Sequence, residues 1–536
     1  MTEVPFRDSG APLTTGSRPT TTPIAVTPHK LAGRVAGQVM ADGGNAVDAA
    51  VAANAVLGVV APDTCGPGGD LFALIHTPGR ATPSALNASG LAGSGAIAAE
   101  LRDRGVDEVP LRSAWSVTVP GCVDGWEALL ERYGTRPLGE LLSPAIDLAT
   151  SGFEVSLELA DSLRRIHPLV GNQGSAPSLY PGGTAPSAGT RLTRPHLAET
   201  LRLLAAAGRE SFYGGRVGEE ITVATDGIIT AADLERRNAE WVEPISADVF
   251  GHRGWTMPPN SQGWLTLAAC WLFEQMSPRR DPEDPAFHLS AIEAYRAVAW
   301  ELSELVSDPE TAPLPADQLA DPDRLRARLT RISLETAATW PAPPAAPGGT
   351  AYFCVRDGNG MGVSFIQSNF HGIGSGLSAG DTGVFLHNRG AGFNLAPGHP
   401  NEMSPGRRPL HTLSPSLWTE DGELRLLLGT RGGHYQPQLL LQIATDVLWA
   451  GLTGAEAQSR PRWVVDESGP DRQPRVQVES RMAPEVTSGL SRQGLDVHPT
   501  DGWMAGWGPV SMIASDETVA IGSADPRVST ASAIAP

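Results

Sequence analysis

Between residues 337 and 356 the chain reads AATWPAPPAAPGG followed by TAYFCVR, with Thr350 opening the second block. Proline removes backbone donors and glycine resists ordering, so 337–349 is expected to be an exposed loop between two folded parts. The β-branched and aromatic residues that follow begin a strand. A threonine at such a junction has a particular chemistry open to it. Its hydroxyl is a weak nucleophile unless a base adjoins it, and the nearest base is its own α-amine once the preceding peptide bond is cut. That amine titrates at about 7.7–8.0, so a useful fraction is neutral near pH 7. Gly349 has no side chain to block attack on its carbonyl by the Thr350 hydroxyl, which allows self-cleavage through an ester. On Gly348-Gly349-Thr350 alone, a linker followed by a β-branched strand residue is the plainer reading.

Downstream of the junction the character is β-like. Tyr352–Arg356, Gly362–Gln367, Leu424–Leu428, Val510–Ala514 and Val519–Gly522 are short β-prone runs bounded by Gly, Asp or Asn, as expected of strands in a layered sheet. Upstream, Asn45 and Asp48 open an alanine- and valine-rich helix that runs to Val60, apolar on nearly every side and therefore buried all round. Helical spacing recurs over Leu138 to Thr150 and over Pro195 to Ala207, the latter stopped by Gly208. The first 27 residues, rich in Thr, Pro, Ser and Gly, read as a flexible arm. The expected organisation is an arm over 1–27, a helix-rich part over 28–349 and a strand-rich part over 350–536, the last two forming one integrated fold.

The whole chain of 536 residues has 40 Lys+Arg against 59 Asp+Glu, a formal charge of −19. That balance disfavours a nucleic-acid partner, which requires a positive face. With 41% hydrophobic and 18% charged residues the composition is that of a folded enzyme rather than a disordered chain. Lys30 is the only lysine, so Schiff-base chemistry has a single donor and is set aside. The four cysteines, Cys65, Cys122, Cys270 and Cys354, form no CxxC and read as small buried residues. Neither a secretory leader nor a run of 18 apolar residues is visible, so a cytoplasmic protein without a membrane partner is expected.

Set beside one another, the remaining motifs point to one family. Gly43-Gly44-Asn45-Ala46-Val47-Asp48-Ala49-Ala50 is followed by Gly66-Pro67-Gly68-Gly69-Asp70-Leu71-Phe72, Val119-Pro120-Gly121, Phe212-Tyr213-Gly214-Gly215 and Trp241-Val242-Glu243-Pro244. After the junction come Asp357-Gly358-Asn359, Gly374-Ser375-Gly376, Pro405-Gly406-Arg407-Arg408-Pro409, Gly432-Gly433 and Asp525-Pro526-Arg527. Each block is weak singly, and their shared order is strong. In these features the chain resembles the γ-glutamyltranspeptidase family of N-terminal-nucleophile hydrolases over nearly its whole length. The resemblance implies an α+β fold of the αββα sandwich type, two antiparallel sheets between helical layers. It implies a precursor that cleaves itself between Gly349 and Thr350 into a large and a small fragment that stay associated. In family terms Thr350 is the nucleophile and, through its α-amine, the general base. Gly432 and Gly433 match the oxyanion donors, and Ser368 matches a hydroxyl, usually threonine, that supports the nucleophile and self-cleavage. No cofactor and no metal are implied, and a homo-oligomer is compatible with the resemblance.

The departures concern the substrate. Family members that act on γ-glutamyl donors hold the α-carboxylate with an arginine in a segment matching Leu86-Asn87-Ala88-Ser89-Gly90, where no arginine stands. Their acidic partner for the α-amine falls at Gly392, three residues after Arg389, and a Ser-Ser pair is replaced by His411-Thr412. A zwitterionic glutamyl head would lose two partners, each worth about 1.5–3 kcal/mol as a charged hydrogen bond. The variant pattern, including Ile366-Gln367-Ser368 and Asn388-Arg389-Gly390, looks like the branch of oxamate-type amidohydrolases and acylases, some relatives of which hydrolyse carbon–carbon bonds. Candidate substrate contacts are therefore Asn388, Arg389, His411 and Thr412, with Arg389 suited to a carboxylate or α-dicarbonyl group. Arg389 could equally close a loop on backbone carbonyls, and His411 could simply pack.

Competing signals are weaker. Gly376-Leu377-Ser378-Ala379-Gly380 fits GxSxG, but Asp381-Thr382-Gly383 continues as a turn where a nucleophile elbow needs a helix. Five histidines fall between His371 and His434 without metal-ligand spacing. The expectation is a self-cleaving threonine hydrolase acting on a small amide or related acyl compound through an acyl-enzyme, with water as acceptor. Genuine γ-glutamyl transfer, carbon–carbon bond hydrolysis and an inactive scaffold of the same fold are the alternatives.

Overall fold

A computed structural model describes residues 2–4, 22–342, 348–466, 475–516 and 519–536. Two antiparallel sheets carry the fold. The larger has eight strands in the order Thr2–Val4, Ser532–Ala535, Ile24–Thr27, Gly349–Arg356, Gly362–Phe370, Asp70–His76, Ser84–Ala88, Glu240–Val242. The smaller has six: Ala520–Ala524, Val510–Ser515, Glu423–Thr430, Ser416–Glu420, His252–Thr256, Ile245–Val249. Every pairing in both is antiparallel. All five β-prone runs form strands, each extended or shifted by one to three residues.

Helices cover the outer face of each sheet. Ala46–Val60 and Cys122–Tyr133 pack on the larger, and Trp264–Met276 and Gln436–Ala444 on the smaller. The two inner faces meet in a core that includes Val26, Phe72, Tyr352, Cys354, Ile366, Leu417, Leu427 and Ile513. This is the αββα sandwich. Period-2 alternation explains the sorting: Tyr352 and Cys354 point between the sheets, while Ala351, Phe353 and Val355 point to the helices. Gly429 lies against the Tyr352 ring, and a Cβ there would stand 2.2 Å from it.

The helix Ala46–Val60 is buried on all sides, as its composition demands. Asn45 accepts from the amides of Val47 and Asp48, and the Asp48 carboxylate accepts in return from the Asn45 amide. A second carboxylate comes from across the junction, Asp357 accepting from Ala46 N at 3.1 Å, where helix-end amides favour negative charge.

Two boundaries differ from expectation. The arm expected over 1–27 ends sooner, because Ile24–Thr27 is a fully buried interior strand pairing Cys354–Arg356 on one side and Ser532–Ile534 on the other. Residues 5–21 of that arm lie outside the described residues. Within the loop expected over 337–349, Trp340 is buried with its indole N–H on Glu293 at 3.0 Å, and Gly349 already belongs to a strand; 343–347 lie outside the described residues. The parts before and after the junction are not separate domains, since the hairpin Gly349–Phe370 is inserted between Ile24–Thr27 and Asp70–His76.

The Gly429–Tyr352 contact yields a test of the sheet packing. Gly429→Ala is expected to destabilise the protein by about 1–3 kcal/mol, the usual cost of overpacking, read as a lowered midpoint in thermal or urea denaturation.

Candidate active site

Thr350 sits at the end of a central strand and is only 4% exposed. The register between its strand and Gly362–Phe370 shifts between Gly349 and Ala351, a bulge of the kind that re-aims a side chain. Ser368 lies opposite. Its hydroxyl donates to the Gly349 carbonyl at 2.7 Å and accepts from Thr350 Oγ1 at 3.3 Å and from the Phe370 amide at 2.7 Å. One hydroxyl thus bridges the candidate nucleophile and the carbonyl that precedes it. Phe370, whose amide turns back to Ser368, has φ +75°, a left-handed conformation that costs a residue with a bulky side chain about 1–3 kcal/mol.

Gly432 and Gly433 come beside the junction from the end of the strand Glu423–Thr430, with φ +133° and +59°. A Cβ on Gly348 would stand 3.3 Å from Gly433 N and 3.0 Å from Gly433 Cα. Among the described residues neither of their two amides donates to a protein acceptor. Buried amides are nearly always paired, so a pair of free ones beside a buried hydroxyl is a place for an oxygen that carries negative charge.

Arg389 is 1% exposed. Nη1 donates to Thr412 Oγ1 at 3.1 Å, the guanidinium carbon lies 3.8 Å from the Phe370 ring centroid, and Nε and Nη2 have no partner. Arg389 does not close its loop on backbone carbonyls. Burial lowers its pKa to about 9, against the opposing pull of Asp70. Asp70 itself accepts from the amides of Gly90 and Gly121 and from His411 Nε2 at 3.2 Å, with His387 Nδ1 at 3.6 Å. Burial alone would raise its pKa, but His387, His411 and Arg389 outweigh that and hold it below the usual carboxylate range.

The other sequence candidates divide. Thr412 faces Arg389 as described. His411 does not: its Nδ1 accepts from Leu413 N, its Nε2 donates to Asp70, and its ring packs edge-on against Phe72 at 4.7 Å. Both nitrogens are spent, so His411 is a packing and positioning group rather than a substrate contact. Asn388 is likewise committed, its amide donating to Leu111 O and its carbonyl oxygen accepting from His371 N. Gly392 has no room for the acidic residue other branches carry, because a Cβ would stand 2.5 Å from Leu410 O.

Sequence reading passed over four residues. His371 and His434 share the electrostatic surroundings of Arg389; burial first, then Arg389 with Arg112 or His371, lowers their pKa values to about 4 and about 3. His434 directly follows the glycine pair, the one signal that could have marked it. Asp70 lay within a quoted motif, and Gln262 carried no signal at all. Gln262 Nε2 donates to both Thr412 O and Gly433 O at 2.9 Å. Among the described residues no group of three His, Cys, Asp or Glu could hold a metal, and no helix is long and apolar enough to cross a membrane.

The sequence profile of the gamma-glutamyltranspeptidase family matches residues 32–535. A glutathione hydrolase-like proenzyme of Bacillus subtilis is 33% identical over 513 residues, covering 94% of this chain and 97% of the relative. An oxamate amidohydrolase proenzyme of Klebsiella pneumoniae is 33% identical over 521 residues, covering 95% and 98%. Among solved structures, a cephalosporin acylase from Bacillus halodurans superposes with a TM-score of 0.90 at 31% identity, covering 98% of each chain.

The buried His411 and the half-buried His371 and His434 set a pH dependence through their lowered pKa values. His371, His411 and His434 titrate at about 4, 3 and 3 when folded and near 6.5 when unfolded. Between about pH 6.5 and 4 the unfolded chain therefore binds more protons, and stability is lost as pH falls through that window. Asp446, raised by burial to about 7, pulls the other way. Melting temperatures measured from pH 7 to 4.5 are expected to fall, and His434→Gln to flatten the slope.

Proposed function

This chain belongs to the gamma-glutamyltranspeptidase family, and from that membership we propose that it is a proenzyme that cuts itself between Gly349 and Thr350 and then hydrolyses a small amide whose acyl half bears a carboxylate. One observation carries the reading: the hydrogen-bond chain from Thr350 through Ser368 to the Gly349 carbonyl, set beside the two free glycine amides.

In the first reaction Thr350 Oγ1 adds to the Gly349 carbonyl carbon. Ser368 polarises that carbonyl and the adjacent glycine amides face the developing oxyanion. The C–N bond breaks, the acyl group passes to oxygen as an ester, and the nitrogen takes the proton released by the hydroxyl and leaves as the Thr350 amine. Water then hydrolyses the ester and leaves a carboxylate on Gly349. In the second reaction the free amine takes the Thr350 hydroxyl proton as the oxygen attacks the substrate amide. The tetrahedral oxyanion is held by the Gly432 and Gly433 amides, where each donor of this kind is worth about 10²–10³ in rate. The amine passes the proton to the departing nitrogen, and water, deprotonated by the same amine, releases the acid.

Arg389 supports the substrate class. A buried cation with two unpartnered nitrogens, Nε and Nη2, stands ready for a planar carboxylate. Nothing at Ser89 or Gly392 offers the charged pair a γ-glutamyl head needs: Ser89 is held by Asn87, and the nearby Arg408 is occupied by Ser89 O, Asn238 O and Glu240.

Denaturing electrophoresis is expected to show fragments of 349 and 187 residues, and Thr350→Ala to remain one chain; uncut wild type that stays fully active would refute the mechanism. Arg389→Gln is expected to weaken turnover of carboxylated amides such as oxamate or glutaryl anilides about 10–100-fold in kcat/KM, the loss of one charged hydrogen-bonding partner, while fragments still form. Hydrolysis of γ-glutamyl anilides is expected to be poor beside these substrates.

A further inference from the structure

We propose that Gln262, on the large-fragment side of the junction, is a positioning residue that pins the Gly432–Gly433 loop to the Arg389–Thr412 end of the site. The inference rests on the reading of Gly432 and Gly433 as oxyanion donors, and concerns a residue to which that reading assigns no part.

The segment Asn260–Gln262 lies alongside 409–413 in a short parallel bridge between Ser261 and His411. Backbone bonds run from His411 N to Asn260 O at 2.8 Å and from Gln262 N to His411 O at 3.0 Å. Each side chain adds a donor: Asn260 to Pro409 O at 2.7 Å, Ser261 to Leu413 O at 2.6 Å, Gln262 to Thr412 O at 2.9 Å. Asn260 reaches on to Ser89 Oγ at 3.2 Å, and Gln262 reaches the glycine pair. The second proton of the same Nε2 goes to Gly433 O, also at 2.9 Å, so one planar amide group fixes the separation of two carbonyls on different loops. The amide has one sensible orientation, since a flip would set Oε1 against both carbonyls.

A glycine pair with positive φ has no side chain to hold it. Its anchors here are Tyr435 N on Gly432 O, Gln436 N on Gly433 O, and Gln262. The first two belong to the same turn and move with it. Gln262 is the anchor that ties the glycine carbonyl itself to the Thr412 segment, while the far end of the turn is held separately by Ser414 N on Gln436 Oε1 at 3.0 Å. Its removal leaves both amides present but lets their aim drift, which affects the oxyanion more than the bound substrate. Thr412 keeps its bond to Arg389 and the neighbouring Asn260 and Ser261 bonds, so substrate affinity is largely preserved.

The test compares processed wild type, Gln262→Leu and Ser261→Ala on glutaryl p-nitroanilide. Ser261→Ala removes a bond of the same bridge without touching Gly433 and serves as the structural control. Gln262→Leu is expected to lower kcat about 10–100-fold with KM changed less than about threefold, and Ser261→Ala to leave kcat within about threefold even where both variants melt earlier. Retained kcat in Gln262→Leu, or a loss residing entirely in KM, overturns the proposal. Should Gln262→Leu fail to cut itself, hydrogen exchange in the uncut Thr350→Ala background decides. The peptide over 431–436 is expected to exchange at least about tenfold faster with Gln262→Leu than with Ser261→Ala, and equal exchange overturns the proposal. Failure of the functional reading looks different: wild type would stay uncut, or Thr350→Ala would match its activity.

Discussion

The hydrogen bond that Ser368 donates to the Gly349 carbonyl is the contact around which the rest is arranged. Its two atoms belong to neighbouring strands, so its geometry is set by sheet pairing rather than by a loop. That carbonyl and the threonine hydroxyl share one bridging oxygen, so their relative positions are fixed. The left-handed Phe370 is part of the same arrangement: its amide completes the set around Ser368, and its ring carries Arg389. Backbone strain, hydroxyl bridge and buried cation are therefore one construction.

A guanidinium inside a protein is tolerable only with compensation. Here the compensating carboxylate, Asp70, does not touch Arg389; it is shared among His411, the nearby His387 and two backbone amides. Direct pairing would fill those donors. Long-range compensation keeps the cation charged and leaves Nε and Nη2 open, and the cation in turn depresses His371 and His434.

Much of this was legible in the sequence for local reasons. Asn45 and Asp48 announce a helix start by their spacing, and the β-prone runs announce strands by composition. The family resemblance named Thr350, Ser368, Gly432, Gly433, Arg389 and Thr412 together, and contacts in the structure link them. What escaped depends on contacts distant in sequence. Ile24–Thr27 reads as a tail because Thr and Pro precede it, and only its pairing with Cys354–Arg356 and Ser532–Ile534 makes it interior. His411 and Asn388 looked like ligand contacts because nothing local reveals that Asp70, Leu413, Leu111 and His371 already occupy them. Gln262 is silent in sequence because its partners lie some 150 and 171 positions away.

The insertion of the hairpin Gly349–Phe370 between strands of the preceding part has a bearing on lifetime. In the uncut chain, unfolding is a unimolecular event that the tether can reverse. Under the proposed scission the same sheet would be built from two molecules, and any excursion that freed them would make recovery concentration-dependent. The matured protein would then persist by the height of its dissociation barrier, and its durability would be a half-life rather than an equilibrium constant.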